Sequence, residues 1–329
     1  MEQRTVYMTV NAFSKYAWFV LGFNLAVILW GAFVRASGSG AGCGAHWPLC
    51  NGEIVPLAPA LQTIIEFVHR LSSGTAFLMV VGMVVWARRA YPAGHRVRAG
   101  AVAAFGGMIA ETLAGAALVL FQWTAFDISL GRIIIMPTHL VITFTLLASL
   151  ALTAWWASGG AAVRWNEQGV TRWLLSIGLL ATLVTGMVGA ITALGDTVLP
   201  ATSLTPGRYE TLSPAGQLLV ALRIWHPLIA IGGGIYLLVL VTMLRAAHTD
   251  PWMRRLTGLL SGLVVLELGA GGVNLWLQAP IGIQLMHLLL ANLVWITLIL
   301  LTAVMWALEP EITGSGGQAK GRKAWPENV

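Results

Sequence analysis

Four of the seven histidines, His69, His139, His226 and His287, stand inside long apolar stretches, each about one to three helical turns from the same end of its stretch. An ionisable side chain inside an apolar span is costly and is by default a functional candidate. A lone histidine is more often a packing residue, but four at matched depth on alternate stretches form a constellation. Two histidines from facing helices of one bundle can take both axial positions of an iron porphyrin, with the macrocycle lying between the helices. His69 with His139, and His226 with His287, supply one such pair each. Bare zinc is the competing ligand, but a closed zinc site needs a third and fourth Cys, His or carboxylate that these positions lack.

The charges around the histidines differ between the pairs. Glu66 precedes His69 by three residues and Arg223 precedes His226 by three, and an i, i+3 pair shares a helix face. Each charge is therefore expected at its own pocket. Arg223 suits a porphyrin propionate, as Arg70 or Arg132 would in the first pair. Glu66 does not suit one, and is expected at the reacting edge of the ring; the alternative is a neutral buried acid bonded to a nearby backbone group. Glu111 and Glu267 lie in mid-stretch, where a hydrogen bond between helices is the expected reading and a proton path the rival. The only cysteines, Cys43 and Cys50, share one loop. In an oxidising compartment they should form a disulfide, with exchange against an unidentified thiol partner as the weaker alternative.

The elements that must position these residues are membrane spans. Of 329 residues 57% are hydrophobic and only 10% charged, against about 25% charge in a soluble domain, and the mean hydropathy is +0.78. Apolar runs at about 16–36, 61–87, 99–121, 134–157, 173–194, 216–244, 256–278 and 282–308 are each long enough to cross a bilayer as a helix. The expected fold is an all-α integral membrane protein of eight spans, the first a retained span rather than a cleaved leader. Arg35, Arg70, Arg132, Arg208 and Arg223 fall on one side and the other 14 of 19 basic residues on the opposite side, which by the positive-inside rule places both termini in the cytoplasm. The loops at about 37–60 and 195–215 then lie outside, and the four histidines lie toward the extracytoplasmic face. Scattered in this way, the charge of +6 reports topology and argues against nucleic acid as a partner.

The chain repeats itself. Gly31-Ala32 recurs as Gly189-Ala190, His69 as His226, and Glu111 with Gly115 as Glu267 with Gly271, at shifts of 156 to 158 residues. Four helices per repeat read as two four-helix bundles related by a pseudo-two-fold axis along the membrane normal. The expected divisions are residues 1–158, 159–312 and a polar cytoplasmic tail, 313–329.

The stretch from Gly31 through Arg35 to GSGAGCGAHWPLCNGEIVP at 38–56, with EFVHRL at 66–71, PTHL at 137–140, WHPL at 225–228 and MHLLLAN at 286–292, resembles the haem A synthase family over essentially the whole membrane part. The resemblance implies an oxidoreductase of the plasma membrane, serving cytochrome oxidase biogenesis, that converts a ring methyl of haem O to a formyl group by two oxidations through an alcohol. It implies haem O, supplied by haem O synthase, between His69 and His139. It also implies a permanent haem b between His226 and His287, and Glu66 as the catalytic acid. Some relatives carry a second cysteine pair in the outer loop between spans five and six, which is missing here, and many show Gln where this chain has Glu111 and Glu267. The electron acceptor is open, as is assembly into a homo-oligomer. A two-haem membrane cytochrome or a haem carrier without chemistry stands as the alternative from another class; with all four histidines at one depth, electron transfer across the membrane is disfavoured.

Overall fold

The computed structural model describes residues 11–161, 169–200 and 209–307. Arg4, Arg164, Arg208, Lys320, Arg322, Lys323 and the tail 313–329 lie outside the described residues, so the described helices bear on only part of the positive-inside count.

Eight helices are present among the described residues: α1 (Ala12–Ala36), α2 (Leu61–Ala90), α3 (Arg96–Leu120), α4 (Leu130–Ala157), α5 (Gly169–Val198), α6 (Pro214–Ala247), α7 (Pro251–Trp276) and α8 (Ile281–Met305). All eight are long and apolar enough to span a membrane, and apart from a single 3-10 turn at Tyr209–Thr211 no other regular element occurs among the described residues. The helices coincide with the apolar runs, except that most begin earlier. Hydropathy alone misses the polar first turn, whereas the caps reveal it. Asn11 caps α1 in a reciprocal box with Ser14, Ser129 caps α4, and Ser213 and Asp250 cap α6 and α7 just ahead of Pro214 and Pro251. Helix α5 runs on to Val198, so residues 195–198, expected in a loop, are helical.

Within the first four helices α1 packs on α2, α2 on α3, α3 on α4 and α4 back on α1; α5 to α8 close the same ring, α8 packing back on α5. The rings meet where α4 packs on α5 and α8, and α1 on α8. Helix α8 is the most deeply enclosed, its Asn292 and Val294–Met305 stretch largely buried. There Trp295 stacks on Phe144 with ring centroids 4.7 Å apart and donates Nε1–H to the Phe144 carbonyl at 2.7 Å.

The main apolar core gathers at the end of the molecule remote from the Cys43–Cys50 loop: Ala17 and Val20 of α1, Met83 of α2, Leu147 and Leu150 of α4, Met253 and Leu260 of α7, Leu298 and Leu301 of α8. A smaller cluster, Ile133, Leu194, Leu199 and Leu219, ties α4, α5 and α6 at the loop end. Outward-facing apolar side chains such as Leu78, Ile224 and Ile235 are exposed, as lipid-facing positions require. One end of the molecule is thus packed solid, and the other is free to hold a cavity.

Candidate functional site

That cavity measures about 1280 Å³ and is lined from all eight helices. It exceeds the roughly 300–1,000 Å³ of an ordinary small-molecule pocket. His69, His139, His226 and His287 all line it, so the structure brings together the four histidines singled out by depth. In each of the four the Nδ1 atom is buried and lacks a conventional hydrogen bond.

The helices hold the rings by close approach. A Cβ at Gly31 would stand 2.8 Å from His69 Cε1, one at Gly189 2.9 Å from His226 Cε1, and one at Gly271 3.1 Å from His287 Cε1. Glycine is what lets each ring lie against the neighbouring helix. The repeated glycines of α1, α5 and α7 therefore have a steric reason. Gly115 of α3 does not, since nothing approaches within 4 Å of its Cβ position. Pro137 and Pro227 sit inside α4 and α6 beside His139 and His226, and each removes one ladder hydrogen bond where the cavity opens.

The rings of His226 and His287 face each other with centroids 6.3 Å apart and planes at 73°. Two imidazoles bonded to one metal from opposite sides, at about 2 Å per bond, would have centroids roughly 6 Å apart. The spacing fits an iron porphyrin held between α6 and α8. Among the described residues no three His, Cys, Asp or Glu side chains converge on a point suited to a bare metal ion.

Two carboxylates stand behind two of the four rings. Glu111 Oε2 lies 2.6 Å from His139 Nδ1, and Glu267 Oε2 lies 3.0 Å from His287 Nδ1. Glu111 accepts a hydrogen bond from the next helix, from Thr143 Oγ1 at 2.5 Å, whereas the approaches of Glu111 to His139 and of Glu267 to His287 are close contacts without hydrogen-bond geometry.

Glu66 lines the cavity but both its oxygens are engaged. Oε1 is paired with Arg70, at 2.5 Å from its Nη2, and Oε2 accepts the Cys43 N–H at 2.8 Å. Arg70 in turn donates to the carbonyls of His46 and Leu49. The carboxylate is therefore an ion-paired anchor for the loop. The loop is a closed one, since Cys43 and Cys50 form a disulfide. Both cysteines are buried, so exchange with a thiol partner would need the loop to open. Gly42 rests on the first turn of α2, where a Cβ would meet the Gln62 backbone at 2.5 Å, and Thr63 donates to its carbonyl at 2.8 Å.

Arg223 also faces the cavity, held by Asp196 at 2.8 Å and by the carbonyls of Gly195 and Leu199. Arg132 donates to the carbonyls of Thr124, Ala125 and Asp127. All three arginines considered for propionates thus have protein partners already. Arg35 did not stand out from sequence as a site residue, yet it crosses from α1 to the other ring of helices, donating to Ala193 O at 2.6 Å, Thr197 Oγ1 at 2.7 Å and Gln284 Oε1 at 3.2 Å. Asp196 did not stand out either, hidden by its assignment to a loop. A lone charge within two residues of the end of an apolar run is the signal that could have found it.

Residues 14–299 match the COX15-CtaA family, described as cytochrome oxidase assembly proteins. The chain is 47% identical over 306 residues to a protein of Thermus thermophilus named protoheme IX farnesyltransferase, a match covering 92% of this chain and 50% of that protein. It is 39% identical over 125 residues to the heme A synthase of Alkalihalophilus pseudofirmus, covering 38% of this chain and 42% of the relative. Against the heme A synthase of Bacillus mycoides it is 42% identical over 97 residues, 30% of this chain and 31% of the relative. The chain spans about half the length of the Thermus relative it matches. With the family match running from the first helix into the last, the chain belongs to the COX15-CtaA family of cytochrome oxidase assembly proteins.

Proposed function

We propose that this protein is a haem A synthase of the plasma membrane, oxidising the ring methyl of haem O to a formyl group in two steps through an alcohol. The observation that carries this reading is the cavity lined by four histidines, with His226 and His287 spaced for one iron between them. The family and the relatives named heme A synthase support it. In this reading His69 and His139 bind the substrate haem O in the first bundle, and His226 and His287 hold a permanent haem b in the second. The bundles are related by a pseudo-two-fold axis along the membrane normal, with the histidines toward the extracytoplasmic face and both termini in the cytoplasm.

Bound iron porphyrin supplies the redox chemistry, and the chain supplies orientation and electrostatics. Glu66, fixed by Arg70 and the Cys43 N–H, presents negative charge at the wall of the first pocket. There it favours positive charge developing at the methyl carbon and orients an attacking water, and its fixed geometry costs no reorganisation at the moment of reaction. Arg70 and the Cys43 N–H occupy both of its oxygens, an arrangement suited to charge stabilisation rather than to giving a proton.

The name of the Thermus relative calls for a second chemistry, farnesyl transfer to protohaem IX. Transfer from a prenyl diphosphate commonly relies on carboxylates grouped around magnesium. The three aspartates of this chain, Asp127, Asp196 and Asp250, stand on separate elements. We therefore assign that activity to the part of the longer protein that this chain does not match. Its product, a farnesylated haem, is the class of substrate expected here, and haem O synthase is the expected donor.

The test is to supply the purified protein with haem O and an electron acceptor and to identify extracted haems by mass spectrometry. Appearance of the alcohol and then the formyl product supports the reading. Haem O returned unchanged by protein that holds haem b favours the carrier alternative.

A further inference from the structure

Glu111 and Glu267 take no part in the reaction as proposed, yet they are acids in mid-span, and each makes the same contact. Glu111 reaches from α3 to His139 of α4, and Glu267 from α7 to His287 of α8, at 2.6 Å and 3.0 Å from Nδ1. We propose that the two acids are positioning residues, each accepting the Nδ1 hydrogen of one iron-facing histidine and so directing its Nε2 lone pair into the cavity. The inference rests on the reading of the histidine pairs as haem ligands.

Three observations carry it. The Nδ1 atoms of His139 and His287 are buried without a hydrogen bond and these carboxylates lie within ion-pair distance of them, so a small rotation that completes the contact satisfies a polar atom otherwise left unpaired. The Glu111 carboxylate is itself held, its Oε1 2.5 Å from Thr143 Oγ1, a hydroxyl that also lies 2.9 Å from the His139 carbonyl. The arrangement is also selective, because among the described residues no carboxylate lies within ion-pair distance of His69 or His226. Each pair thus joins one carboxylate-backed histidine to one with no carboxylate behind it.

A carboxylate behind a ligating imidazole fixes the tautomer and strengthens the donor, and removing such a partner typically costs about 10–100-fold in metal affinity. The backed histidine becomes the firmer ligand, and the electron density it donates favours the ferric over the ferrous state. In the first pair this makes His139 the anchor and His69 the ligand that yields when substrate enters or product leaves.

Spectroelectrochemical titration of haem b in the full-length detergent-solubilised protein tests the inference, with haem transfer to a scavenging apoprotein as the measure of retention. Glu267→Gln keeps an acceptor but loses the charge, so haem b should be retained and its reduction potential should move positive. Glu267→Leu removes the acceptor, and haem b retention should fall about 10–100-fold. Glu111→Leu should leave the haem b potential in place and weaken haem O binding by a similar factor, which also shows that the fold survives loss of a mid-span acid. An unmoved potential in Glu267→Gln, or wild-type retention in Glu267→Leu, overturns the inference while the haem assignment stands. A wild-type protein without a bis-histidine haem signature overturns that assignment and this inference together.

Discussion

The two histidine pairs line one cavity and carry residues of opposite charge at the same position of the repeat. Three residues before the first histidine of each pair, α2 carries Glu66 and α6 carries Arg223, and each has found an ion partner of the other sign. Glu66 pairs within its own helix, with Arg70, and the pair is spent on clasping the disulfide loop over the first pocket. Arg223 pairs with Asp196 of the neighbouring helix and closes onto the end of α5, with no crosslinked loop above it. The behind-the-ring contacts differ as well. Glu111 is held by Thr143, whereas the residue four beyond His287 is Ala291, which offers Glu267 no hydroxyl. On the proposed reading one scaffold serves two roles, the lidded side with Glu66 taking the substrate that reacts and the side with Arg223 taking the haem that stays.

The largest effect expected from breaking this comparison is at the second pocket. His226→Ala or His287→Ala should abolish tightly held haem b, seen as loss of one haem equivalent in the spectrum of the purified protein; an unaltered spectrum would remove the second pair from the account. Next is Glu66→Gln, for which conversion of haem O should fall about a hundredfold or more while haem b content stays near normal. If Glu66 serves only to hold the loop, turnover per haem-loaded molecule would be preserved and Cys43 and Cys50 would instead become open to reductant and alkylation.

A smaller effect is expected from packing. Gly31→Ala should push against the His69 ring and weaken haem O binding by about 1–3 kcal/mol, the usual scale of overpacking, while Gly106→Ala of α3, with nothing near its Cβ and away from the cavity lining, should bind normally. Equal behaviour of the two variants would refute the steric account of the repeated glycines. The smallest global effect belongs to the disulfide. Seven positions separate the two cysteines, so replacing both with serine should cost at most about 2–3 kcal/mol and disturb the loop more than the helices. Thiol labelling without reductant should find neither cysteine free, and protein labelled before reduction would contradict the closed loop.

The sequence made the eight helices readable because spans are long and lipid permits few alternatives, and the histidines were legible because ionisable residues inside apolar runs stand out. Helix starts were less legible, since caps such as Asn11 and Asp250 belong to polar first turns that hydropathy ignores. What could not be read was the choice of partner. That Arg70 would turn to Glu66 and the loop carbonyls depends on three-dimensional proximity. So does the reach of Arg35 across to α5 and α8, and that of Glu267 to a histidine on the next helix. Spacing along one helix places Glu66 on the face of His69, but it does not say which way an acid with two neighbours will turn.

The account turns most directly on whether haem O changes chemically in the first pocket while a different haem stays in the second. Purified wild-type protein should be given haem O, and the bound haems should be extracted and identified by mass over time. The account predicts a constant amount of haem b, a transient alcohol and accumulating haem A, with no turnover when His69 or His139 is replaced by alanine. Constant haem O with undiminished haem b would contradict it, as would conversion that survives loss of both His69 and His139.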